Sequence, residues 1–83
     1  MSHPEGPMDK ILLALHNLCA VRTEFAKTLE ELAKNVGMDL NQLQALLKEL
    51  VLNGYVAWFS DSKGEKRYYI TGSGIIRVCS AFT

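Results

Sequence analysis

The sequence predicts an α+β domain, mainly helical, in which a helix-turn-helix is followed by a β-hairpin and a last helix. Two helix-start signals, each closed by a glycine, lie close together: Thr28-Leu29-Glu30-Glu31 with Gly37, then Asp39-Leu40-Asn41-Gln42 with Gly54. Over residues 55–71 the apolar period changes from helical to alternating, interrupted by a polar turn. Residues 72–82 return to a broad apolar arc at helical spacing. The order expected is therefore helix, short strand, helix, helix, strand, strand, helix.

The first helix is expected over residues 9–21, with Asp9 as its N-cap, because a carboxylate there accepts from the free N–H groups of the first turn. Ile11, Leu12, Leu15, Leu18 and Cys19 fall on one helical face, and Leu13 and Ala20 form a smaller apolar patch elsewhere. Residues 1–7 read as a flexible polar lead-in to a single domain over 8–83. Residues 22–27 are too few for a helix and read as one short strand.

The second helix, residues 29–35, opens on a capping box. Thr28 can accept from the Glu31 backbone while the Glu31 side chain reaches back to the Thr28 N–H. Gly37 ends it, since glycine takes the left-handed conformation a helix C-terminus uses. The third helix, residues 40–53, carries Leu40, Leu43, Leu46, Leu47, Leu50 and Val51 as its apolar stripe and stops at Gly54. Residues 55–60 and 67–71 are rich in aromatic and β-branched side chains and pair across the polar turn 61–64. Val56, Trp58, Tyr68 and Ile70 are expected on the core face of this hairpin. Thr71 caps the last helix, against which its two early glycines argue.

Composition sets bounds. The chain has 83 residues, 48% hydrophobic and 22% charged, a globular profile for a single domain. Net charge is zero, with nine basic and nine acidic side chains, which gives no general attraction to nucleic acid. The distribution is uneven: Lys63, Lys66, Arg67 and Arg77 outnumber Asp61 and Glu65 over residues 54–83. No stretch is long and apolar enough for a membrane span, and the N-terminus lacks the pattern of a signal peptide, so a cytoplasmic location is expected.

A helix pair joined by a short glycine turn can set its second helix in the DNA major groove. Opposite the leucine stripe of the third helix lie Asn41, Gln42, Ala45, Lys48 and Glu49, with Gln44 at the margin. Asn and Gln can bond adenine in bidentate fashion, Ala can touch a thymine methyl, and Lys can reach guanine or phosphate. The same residues would also serve as an ordinary solvated face.

The hairpin tips the balance. Leu50-Val51-Leu52-Asn53-Gly54-Tyr55-Val56, a polar turn, and Tyr68-Tyr69-Ile70-Thr71-Gly72-Ser73-Gly74 resemble the corresponding segments of small archaeal and bacterial winged helix-turn-helix transcriptional regulators. Thr28-Leu29-Glu30-Glu31-Leu32-Ala33 is similar to their second helix, and the resemblance covers about residues 9–83. It implies a winged-helix fold with a two- to three-stranded antiparallel wing. It further implies a wing over residues 60–67 that lies on the DNA backbone or minor groove, with Lys63, Lys66 and Arg67 as its basic positions, and a dimeric protein. Thr28 is expected near a phosphate. The alternative function is a winged-helix protein–protein interaction module that binds no DNA.

The arc Ile75, Ile76, Val78, Cys79 and Phe82 exceeds what one domain core absorbs. A two-fold dimer is expected through Leu13, Ala20, Ile76, Val78 and Phe82. Cys19 and Cys79 are expected on the apolar sides of the terminal helices, as buried thiols or, in a hyperthermophile, as a disulfide. His16 has no partner ligands around it in sequence, so no metal site is expected. No phosphate-cradling loop, zinc-protease motif or nucleophile elbow occurs, so no enzyme, cofactor or small-molecule ligand is expected.

Overall fold

A computed structural model describes residues 6–81, with side chains through residue 80. The elements are α1 (Pro7–Asn17), a 3₁₀ turn (Thr23–Phe25), β1 (Lys27–Thr28), α2 (Leu29–Val36), α3 (Leu40–Leu52), β2 (Val56–Ser60), β3 (Lys66–Ile70) and α4 (Gly72–Ala81). The three strands form one sheet in the order β1-β3-β2, antiparallel throughout. The expected order of elements is the observed one, except that the short strand is cut to two residues by the 3₁₀ turn before it.

The start of α1 differs from expectation. Gly6 is the N-cap and Pro7 opens the helix, a position where the missing proline N–H costs nothing. Asp9 instead stands in the first turn, where its carboxylate accepts from Arg77 Nε of α4 at 3.2 Å. The same guanidinium lies 5.0 Å from the ring centroid of Tyr55. One arginine thereby ties α4 to α1 and to the start of the hairpin.

The other end of α1 also differs. The helix stops at Asn17 because Cys19 adopts φ +59°, and the Ala20 N–H turns back to the Leu15 carbonyl at 2.9 Å. This is a Schellman closure, in which the residue after the left-handed position folds beneath the helix. Ala20 is therefore fully buried and its carbonyl accepts from Ile70 N–H at 2.8 Å. Helix α3 closes in the same way, with Gly54 at φ +80° and the Tyr55 N–H bonded to the Leu50 carbonyl at 3.0 Å.

Between them, α2 and α3 form the helix pair. Thr28 Oγ1 accepts from Glu31 N–H at 3.2 Å and Glu31 Oε1 accepts from Thr28 N–H at 2.8 Å, the reciprocal box read from sequence. That backbone bond is the chief cause holding the Glu31 carboxyl below its ordinary value. Gly37, at φ +69°, stops α2, and Asp39 caps α3 through Gln42 N–H.

The core joins Ile11, Leu12 and Leu15 of α1, Leu32 of α2, Leu43, Leu47 and Leu50 of α3, and Ile70 of β3, each essentially sealed from solvent. Val78 of α4 completes it. A glycine explains how α4 comes so close. A Cβ at Gly74 would run into the Tyr55 carbonyl and the Ile70 side chain, whereas at Gly72 it would meet open space. Thr71 then fastens the junction: its hydroxyl donates to the Gly54 carbonyl at 2.6 Å and accepts from Gly74 N–H at 3.2 Å.

Candidate functional site

The buried positions of α3, Leu43, Leu47 and Leu50, recur at helical spacing and fix which side faces out. Asn41, Ala45, Lys48 and Leu52 follow one another at three- and four-residue steps along the opposite side, flanked by Gln44 on one edge and Gln42 and Glu49 on the other. All seven are exposed. The expected polar face is thus uncovered along the helix. Leu40, placed by sequence in the apolar stripe, is 44% exposed, because the first turn of α3 precedes its first core contact.

The hairpin stands beside this face. Val56 pairs with Ile70, Trp58 with Tyr68 and Ser60 with Lys66, so these six side chains share one side of the ribbon. Val56, Tyr68 and Ile70 are buried as expected. Trp58 is not: it lies on the expected face but is 45% exposed, because a groove opens between it and α3. It lines a groove of about 380 Å³ together with Gln44, Lys48, Val51 and Leu52 of α3 and Lys66 and Tyr68 of β3. Lys66 Nζ lies 4.6 Å from the Trp58 ring centroid, within cation–π range. Burial pushes the Tyr68 phenol above its usual value.

The wing tip is organised by one carboxylate. Asp61 Oδ1 accepts from Lys63 N–H at 2.9 Å and Glu65 N–H at 3.0 Å, and Gly64 takes φ +80°. Asp61 Oδ2 accepts from Arg67 Nε at 2.9 Å. Arg67 also donates from Nη1 to the Ala26 carbonyl at 3.4 Å, with Glu31 Oε1 at 4.0 Å. Arg67 is therefore half-buried and internally compensated, unlike Lys63 and Lys66, which are exposed and in none of the ion pairs among the described residues.

Of the nine residues expected to meet a partner, seven are exposed, Asn41, Gln42, Gln44, Ala45, Lys48, Lys63 and Lys66, and of these Gln44, Lys48 and Lys66 line one groove. Thr28 is buried, with its hydroxyl accepting from the Glu31 amide in the α2 cap. The residue that sequence reasoning missed is Leu52, 77% exposed at the end of the outer α3 stripe. The signal was there, since Leu52 falls in helical register with Asn41, Ala45 and Lys48.

The second expected surface is corrected in part. Ala20 and Val78 are core residues, the first because of the Schellman turn, the second because α4 packs that side onto α1. Ile76 is 69% exposed and Leu13 half-buried, while Phe82 lies outside the described residues. Cys19 and Cys79 are both free and exposed, not buried or bridged. Cys19 sits beyond the end of α1, and Cys79 is one turn after Ile76 on the outward side of α4. No group of three or more His, Cys, Asp or Glu among the described residues is arranged to hold a metal ion. No helix among them is long and apolar enough to cross a membrane.

No family model and no curated protein sequence matches this chain. Solved structures do resemble it. One is a Ralstonia eutropha protein described only provisionally as DNA-binding, at TM-score 0.78 and 18% identity over 92% of this chain and 94% of that one. Another is the DNA-binding TubR fragment of Clostridium botulinum, at TM-score 0.76 and 22% identity over 89% and 91%. A third is Staphylococcus aureus MepR in its DNA complex, at TM-score 0.70 and 23% identity over 88% of this chain and 62% of MepR. These likenesses establish the winged-helix fold.

Proposed function

We propose that the chain is a DNA-binding transcription regulator that acts as a homodimer, with α3 in the major groove and the β2–β3 wing over the backbone. The observation that carries this reading is the continuous exposed surface from Asn41, Gln42, Gln44, Ala45 and Lys48 into Lys66, with Gln44, Lys48 and Lys66 lining one groove. Asn41, Gln42 and Gln44 supply donors and acceptors for base edges, and Ala45 an apolar contact for a thymine methyl. Lys63, Lys66 and Lys48 supply the charge for phosphates. MepR, similar in fold, has been solved on DNA, which supports a DNA partner here.

The three exposed lysines of this surface, Lys48, Lys63 and Lys66, are few, so a lone protomer would hold DNA weakly and a dimer would double the contacts. The exposed Ile76 of α4 and Leu13 of α1 are the candidate dimer contacts. The protein then works in the cytoplasm, on double-stranded DNA, without a cofactor. Fluorescence anisotropy of a labelled random duplex at low salt tests the reading. Binding is expected, falling with salt at a log–log slope of about −3 per protomer. A flat response to protein at the lowest salt would contradict it.

A further inference from the structure

The groove between α3 and the wing carries more apolar surface than phosphate or base-edge contact requires. Leu52 is 77% exposed and Trp58 is 45% exposed, and both line it beside Val51 and the buried wall of Tyr68. Lys48 and Lys66 flank it, and no acidic side chain lines it. Its walls are preformed: Val51 and Leu52 belong to the last turn of α3, locked by the Schellman closure at Gly54, and Trp58 is cross-paired with Tyr68. A volume of about 380 Å³ sits at the small end of ligand pockets (about 300–1,000 Å³), so it suits a few side chains and not a folded domain.

We propose that this groove is a docking site for an acidic peptide segment of a protein partner, with one or two bulky apolar side chains seated against Trp58 and Leu52. The charge complementarity names the occupant: carboxylates beside the anchors meet Lys48 and Lys66, neither of which is in an ion pair among the described residues. Aromatic and aliphatic anchors bury apolar surface that DNA leaves wet. Because Lys48 and Lys66 also belong to the proposed duplex surface, an occupied groove withdraws them from DNA. That consequence, and only that one, rests on the DNA-binding reading.

Trp58 is the sole tryptophan of the chain, so its emission reports the groove directly. The probe is a short synthetic peptide of Asp and Glu residues carrying one Leu and one Phe; a second peptide has Ser at both anchors. The anchored peptide is expected to shift Trp58 emission to the blue in a saturable titration. The Ser peptide is expected to bind at least about tenfold more weakly. Leu52→Glu and, on the opposite wall, Lys66→Glu each weaken the anchored peptide to a similar degree. Lys63→Ala, outside the groove, leaves the peptide titration unchanged while weakening a labelled duplex. No emission change with the anchored peptide, or equal binding of the Ser peptide, overturns the proposal. Peptide binding without duplex binding leaves this site standing and removes the DNA reading; duplex binding without peptide binding does the reverse.

Discussion

Asp61 accepts from Arg67 across the base of the wing turn at 2.9 Å, and so takes up the one arginine of the wing. The same carboxylate holds the Lys63 and Glu65 amides. One side chain therefore shapes the wing and neutralises part of its charge. This explains how a domain of zero net charge can still present a basic edge: Lys63 and Lys66 stay out of the ion pairs among the described residues, while Arg67 is spent internally.

Replacing Asp61 by asparagine separates the two roles. The side-chain amide introduced there would keep an oxygen for the two backbone N–H groups and lose the charge that holds Arg67. Asp61→Asn is expected to tighten duplex binding at low salt and to steepen the salt slope by about one. An anisotropy salt series checks this, and an unchanged slope would show that Arg67 is out of reach of DNA.

The wing should also respond to acid. The Asp61 carboxyl is held below its ordinary value of 3.8, first by the Arg67 hydrogen bond and then by the Glu65 amide. A depressed folded value stabilises above the unfolded one and is lost as pH falls through the folded one. The ordered turn is thus fully present above about pH 4 and loosens below 3.8. Backbone amide shifts of Lys63 and Glu65 are expected to titrate together with a midpoint under 3.8. A midpoint at or above that value would contradict the assigned hydrogen bonds.

The two glycines that open α4 should behave oppositely. Gly74→Ala forces a methyl into the Tyr55 carbonyl and Ile70, at a cost of about 1–3 kcal/mol. Gly72→Ala meets no atoms and should be neutral or stabilising by up to about 1 kcal/mol. Denaturant unfolding of the two variants compares them directly.

At Cys19 a side chain occupies the left-handed slot that Gly54 fills at the end of α3. Left-handed backbone costs a non-glycine residue roughly 1–2 kcal/mol, part of which glycine returns as lost chain entropy. Cys19→Gly is expected to raise unfolding stability by about 0.5–1 kcal/mol. Destabilisation would mean that the exposed thiol makes a contact of its own.

What was legible in the sequence was local. The Thr28–Glu31 box, the Gly37 and Gly54 stops and the alternation of β3 each depend on a few neighbouring residues, so α2, α3 and the hairpin were placed to within a residue or two. What failed was decided elsewhere in the chain. Trp58 has the right parity, but its exposure depends on the groove left between the ribbon and α3. The end of α1 depends on a cysteine adopting the conformation glycine usually takes. Ala20 and Val78 are buried because a turn and a packed helix carry them inward, and a broad apolar arc does not announce which of its members face in. The Asp61–Arg67 pair needed the hairpin register, which the turn length alone left open.

The proposed function stands on the leucine-free side of α3 and the wing meeting DNA as one surface. Amide and side-chain NMR shifts during titration with a short duplex at low salt probe that surface residue by residue. Shifts concentrated at Asn41, Gln42, Gln44, Lys48, Lys63 and Lys66, fading as salt is raised, are expected. Shifts confined to the α1–α4 side, or none at all, would refute DNA binding through this face.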